Sequence, residues 1–124
     1  MRVRRWAAVA AYAILIFAVS SVPSDSMKTP ALPGIDKAAH LVEYFILAAL
    51  LYRALKAHAV AHVMLLTVII ATAYGITDEF HQRYVPGRTV SAADVAADAA
   101  GAAAFAAAAL FTKRSTPRQP RQGR

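Results

Sequence analysis

Residues 59–82 read AVAHVMLLTVIIATAYGITDEFHQ. Between positions 59 and 77 there is no Asp, Glu, Lys or Arg; then the polar run Asp78-Glu79-Phe80-His81-Gln82 begins abruptly. A helix crosses a bilayer with about 20 mainly apolar residues. This stretch therefore has the length and composition of a membrane span that ends at a polar face. Working outward, three more segments share that character. Residues 6–22 carry no charge, residues 38–52 carry only His40 and Glu43 as ionisable groups in an otherwise apolar run, and residues 92–112 carry Asp94 and Asp98 near their start. Pro23, Pro30, Pro33 and Gly34 separate the first two segments, and Pro86 and Gly87 the last two. A short basic hairpin, residues 53–58, joins the second to the third.

The reading is an all-α, polytopic integral membrane four-helix bundle. Its helices are expected near residues 6–22, 38–55, 59–80 and 92–112, within a single domain over residues 1–112. Residues 113–124 form a basic, proline-containing tail expected to be disordered. Composition agrees: the 124 residues are 58% hydrophobic and 17% charged, too apolar for an ordinary soluble domain. The absence of cysteine excludes disulfides, thiolate nucleophiles and cysteine metal sites. Residues 1–20 also resemble a signal peptide, with Ala18-Val19-Ser20 as cleavage site, but the apolar run exceeds the usual h-region. An uncleaved first helix is the expectation. The fourth segment is mostly alanine, which is only weakly lipophilic. It should not face lipid on all sides, and small residues at Ala97 and Gly101, with Phe105, should form one packing stripe. Ala71 and Gly75 offer a matching surface on the third.

The net charge of +7 would suggest nucleic-acid binding in a soluble protein. Its placement points to membrane topology instead. Arg2, Arg4, Arg5, Arg53, Lys56, Lys113, Arg114, Arg118, Arg121 and Arg124 fall on one side of a four-span chain; Lys28, Lys37, Arg83 and Arg88 fall on the other. The excess of basic residues faces the cytoplasm, so both termini are expected there. The bilayer, with its anionic lipid, is then the first partner. The seven acidic residues, Asp25, Asp36, Glu43, Asp78, Glu79, Asp94 and Asp98, all gather on or near the opposite, outer face. Acidic residues do little to set topology, so their gathering calls for a site.

Asp36, His40 and Glu43 recur at helical spacing and share a face, with Tyr44 beside them. Asp36 also suits a helix N-cap after Pro33-Gly34. An ionisable residue inside a span is a functional candidate by default, which singles out His40 and Glu43; a packing role is the plainer alternative for Glu43. Asp78 and Gln82 lie four apart on the third helix, with Glu79 directed elsewhere. His81 reads as a solvated residue or a metal ligand. Val85-Pro86-Gly87-Arg88 has the type II turn pattern, which would hold Arg88 in place. A guanidinium binds phosphate or carboxylate, and a salt bridge to Asp78, Asp94 or Asp98 is the equal alternative. Ser91-Ala92-Ala93-Asp94 is a capping-box pattern, whereas Asp98, one turn deeper, has no such explanation. Three readings fit the set: a divalent-cation site, general acid–base groups, or a hydrogen-bond network joining helices.

The motifs resemble those of the VanZ-like membrane proteins. Phe17-Ala18-Val19-Ser20-Ser21, Asp36-Lys37-Ala38-Ala39-His40 with Glu43-Tyr44, and Asp78-Glu79-Phe80-His81-Gln82 followed by Pro86-Gly87-Arg88, Asp94, Asp98 and Gly101 carry the likeness. Their order and spacing are specific together. The resemblance implies four spans and a place in the cell envelope. The founding member is linked to teicoplanin resistance, which the fold alone does not transfer to this chain; a glycopeptide is one ligand to consider, and the outer-face cluster with Arg88 makes a lipid-linked phosphate the other. Asp36, Tyr44, Asp78, Glu79, Gln82, Arg88, Asp94 and Asp98 would contact it. His40 or Glu43 would act as general base if a reaction occurs, with a divalent cation as the candidate cofactor. Non-catalytic shielding and a purely structural cluster remain the other classes. Four short helices leave little room for a transport path without an oligomer.

Overall fold

A computed structural model describes residues 1–24 and 34–115, with side chains to 112. Asp25, Lys28, Pro30, Pro33 and the tail beyond 115 lie outside the described residues. The fold is all-helical: α1 (Arg2–Ser20), α2 (Ile35–Lys56), α3 (Val63–Gln82) and α4 (Ala92–Ser115). Each is long and apolar enough to span a membrane.

The helix ends follow from local chemistry. The α1 chain leaves through Ser20 and Ser21, whose hydroxyls bond back to the Phe17 carbonyl at 3.1 and 2.6 Å. Gly34, at φ 84°, precedes α2 and is its N-cap. Asp36 is thus not the cap; it sits in the first turn, where a carboxylate still suits the helix dipole. Arg53 and Lys56 occupy the last turn of α2 and complement its C-terminal partial charge. Ala59 and His62 both take positive φ, at 51° and 53°. Left-handed backbone interrupts a helix, so α3 begins at Val63 rather than at the start of the apolar run.

The bundle is built around α2, which packs against all three other helices, whereas α1 and α4 do not touch among the described residues. Tyr44, Leu47, Ala48, Leu51 and Ala54 of α2 are buried against Val9 and Ile16 of α1, Ala71 of α3 and Ala102 of α4. Phe105 adds a perpendicular ring contact to Phe45, centroids 5.6 Å apart. A Cβ on Gly101 would run into the Leu41 carbonyl, so its absence lets α4 lie against the backbone of α2. Gly75 does the same for the Asp98 side chain. The two glycines of the small-residue surfaces thus set the α2–α4 and α3–α4 approaches. Beyond this stripe, α4 leaves much of its alanine uncovered. Ile14, Leu15, Leu65, Ile69, Ile76 and Leu110 point outward, as lipid-facing residues do.

The two ends of the bundle differ. At one, Arg5 Nη1 donates to the Arg53 carbonyl at 3.1 Å and Trp6 Nε1 to His58 Nε2 at 3.1 Å. At the other, α1 and α3 end and α2 and α4 begin. There the acidic and histidine side chains collect.

Candidate functional site

Two adjoining clusters form at that acidic end. The first ties α1 to α3. Asp78, 4% exposed, accepts from Ser20 Oγ at 2.6 Å and from Gln82 Nε2 at 3.0 Å. His81 Nε2 meets Ser21 Oγ at 2.9 Å and stacks on Phe17. The turn after α3 closes through Arg88 N–H to the Val85 carbonyl at 3.2 Å with Gly87 at φ 74°, the positive φ that a type II turn requires. That turn delivers Arg88 to the end of α1. Its Nε donates to the Val22 carbonyl and its Nη2 to the Val19 carbonyl, each at 3.2 Å. Ser24 Oγ also bonds the Gly87 carbonyl. The Val19 carbonyl already accepts the Val22 N–H at 3.1 Å, so the guanidinium adds a second donor there, supplies one to Val22, and complements the dipole at the helix C-terminus. The structure therefore gives Arg88 a capping task and no salt bridge to Asp78, Asp94 or Asp98.

The second cluster joins α2, α3 and α4. His40 Nδ1 lies 2.8 Å from Asp98 Oδ1. Lys37 Nζ pairs with Asp36 at 2.7 Å and with Asp94 Oδ1. The Ser91 N–H donates to Glu79 Oε2 at 2.9 Å. The capping box expected between Ser91 and Asp94 is thus closed across helices by Glu79, which frees Asp94 to meet Lys37. A nitrogen of His40 and carboxylate oxygens of Glu79 and Asp94 all lie within 4.8 Å of one another, a group able to hold a metal ion. Glu43 and Asp98 lie within electrostatic reach of both clusters.

The sequence-predicted residues therefore divide. His40, Glu79, Asp94 and Asp98 converge, while Asp78 and Gln82 belong with α1, and Arg88 caps it. Asp36 points outward at 61% side-chain exposure. Glu43 is half-buried beside His40. Tyr44 is fully buried, and its hydroxyl makes no hydrogen bond. Glu79 Oε1 and Asp98 Oδ2 are likewise buried without a hydrogen-bond partner. Lys37, read in the sequence only as a topology charge, enters the site. Lys37, His40 and Tyr44 step by three and four, and Asp36, His40 and Glu43 by four and three; both are helical spacings, so periodicity alone did not separate the two faces. Ser20 and Ser91 were singled out in the sequence, one in a family motif and one as a cap, but their partners Asp78 and Glu79 lie on another helix, which local pattern does not show.

Taken together, four membrane-length helices with an ionisable cluster at one end of the bundle define a small multi-pass membrane protein with a polar site. Its family is settled by the match to the VanZ/LLP1 family model over residues 5–113, which runs from the first turns of α1 to the last turn of α4. The chain belongs to the VanZ/LLP1 family. Comparison with curated proteins gave no match, and neither did comparison with solved structures.

Proposed function

We propose that this protein binds a cell-envelope ligand at the outer face of the bacterial cytoplasmic membrane, through the cluster that joins α2, α3 and α4. Both termini are then cytoplasmic, as the distribution of Lys and Arg favours. The ligand class is a lipid-linked phosphate. One observation carries the reading: Glu79, Asp94 and Asp98 are brought together with His40 under a partly exposed Lys37, and two of their carboxylate oxygens, Glu79 Oε1 and Asp98 Oδ2, have neither a hydrogen-bond partner nor an ion pair. Buried polar atoms left open are expensive in a membrane-embedded bundle. A network that only joined helices would close on itself, as the Ser20–Asp78–Gln82 set does. The open cluster suits a headgroup that enters from the membrane surface, with its lipid chain along the outward apolar residues.

Glycopeptide resistance is not carried to this chain by fold alone; the reading rests on the site. The test is native mass spectrometry of protein extracted gently from its own membrane, beside Lys37→Gln. A phosphate-bearing lipid retained by the parent and depleted in the variant is the expected result. A parent protein that carries no such lipid, and takes none from added vesicles of its own membrane lipid, overturns the proposal.

A further inference from the structure

The geometry points to a divalent-cation site made by His40, Glu79 and Asp94, with Asp98 holding the histidine in place. It deepens the reading above, whose phosphate must approach carboxylates of its own sign, and it can be tested without any lipid.

Each of the three ligands is held by one heteroatom and leaves another open. His40 Nδ1 is engaged by Asp98. An ionised carboxylate only accepts, so Nδ1 carries a proton, and in the neutral imidazole that a metal requires Nε2 presents its lone pair. A carboxylate behind a metal-binding imidazole is the usual arrangement, because it fixes tautomer and ring orientation. Glu79 Oε2 is engaged by the Ser91 N–H, and Oε1 is buried and unpartnered. Asp94 Oδ1 is buried, its one polar neighbour among the described residues being the Lys37 ammonium, and no hydrogen bond among those residues uses Oδ2. Glu79 is 3% exposed and Asp94 8%, so neither is a loose surface carboxylate.

Charge agrees with geometry. Glu79, Asp94 and Asp98 are buried against one ammonium, that of Lys37. With neutral His40, a divalent cation offsets the excess of two negative charges. One imidazole and two carboxylates suit a borderline cation such as Zn²⁺, and the carboxylates also suit Mn²⁺, whereas Mg²⁺ and Ca²⁺ prefer oxygen alone. The ligand atoms lie within 4.8 Å of each other. Bonds of about 2.0–2.2 Å place neighbouring ligand atoms roughly 3.3–3.6 Å apart. Closing the site thus needs side-chain shifts on the order of 1.5 Å, with the open heteroatoms turned inward. Three protein ligands leave at least one position open, where a phosphate oxygen of the ligand would bind.

The test is calorimetric titration of Zn²⁺ into chelator-stripped, folded protein in detergent, with Mn²⁺ binding followed by electron paramagnetic resonance. One ion per chain is expected. The triple variant His58→Gln, His62→Gln, His81→Gln keeps His40 as its one histidine and should bind as the parent does. Asp36→Asn should do so too. His40→Ala and Glu79→Gln should abolish binding, and Asp98→Asn should weaken it about 10–100-fold with stoichiometry unchanged. A folded parent that binds no ion, or a triple variant that loses the ion, overturns the proposal. A parent that binds the ion but takes no phosphate-bearing lipid from vesicles of its own membrane lipid keeps the cation site and discards the phosphate reading; lipid taken up by a parent that binds no ion does the reverse.

Discussion

At the scale of single residues, the clearest assignments are those where one atom has one task. Arg88 places two donors on the end of α1. Replacing it with alanine leaves two carbonyls without their charged partner, and the expected loss is about 1–2 kcal/mol, read as a lower thermal midpoint in detergent. The same variant should keep the one-ion stoichiometry, since Arg88 touches none of the proposed ligands. The glycines are equally specific. Gly101→Ala presses a methyl group into the backbone of α2 at Leu41, which has nowhere to go. Gly75→Ala presses one onto the Asp98 carboxylate, a side chain that can yield. Overpacking of this kind costs about 1–3 kcal/mol, with Gly101→Ala expected at the upper end. Gly75→Ala should lose less stability but more ion affinity, because moving Asp98 releases His40. Equal affinity in the two glycine variants would contradict that order.

Between elements, the weak point is α1. It touches α2 and, more sparsely, α3, and among the described residues lacks contact with α4. Its attachment to α3 runs through few polar links: Ser20 to Asp78, Ser21 to His81, and Tyr74 Oη donating to the Ala13 carbonyl at 2.6 Å. A double-mutant cycle on Ser20→Ala and Asp78→Asn isolates the first link. Hydrogen bonds between membrane helices average about 0.6 kcal/mol, with a maximum of about 1.7. The coupling should fall near the top of that range, because Asp78 is buried and the bond is short. Zero coupling would mean that the first cluster does not join α1 to α3. Hydrogen exchange should also show α1 opening before α2, whose apolar face is covered from three sides.

For the whole molecule, the prediction is orientation. The natural chain has no cysteine, so single cysteines report without background. Thr89 is exposed at the acidic end and Lys56 is exposed at the basic end. With the proposed topology, Thr89→Cys reacts with a membrane-impermeant maleimide added to intact cells, and Lys56→Cys reacts only after the membrane is opened. The reverse pattern would place the site in the cytoplasm and remove the case for an envelope ligand.

The four spans, their all-helical class and the family were legible in the sequence because they depend on local quantities: the length of an apolar run, the turn chemistry of Pro86-Gly87, and the order of motifs along the chain. Even the approach of helices at Gly75 and Gly101 was foreshadowed, since a missing side chain is visible in one dimension. The partners were not. Asp36 and Lys37 are neighbours in sequence with equal periodic claims on His40, and only the packing of α2 on α4 turned Lys37 inward. Asp78 and Glu79 are also neighbours, yet one bonds to α1 and the other to α4, because successive helical positions face about 100° apart. Arg88 had as good a claim on a ligand as on a carboxylate until the turn carried it to the carbonyls of α1. Which side chains meet depends on helix rotation and separation, and those arise from contacts between residues far apart in the chain. The sequence by itself determined that a set of ionisable groups sits at one end of a membrane bundle. Only the tertiary structure decided that the set is two clusters, one closed on itself and one with open carboxylate oxygens.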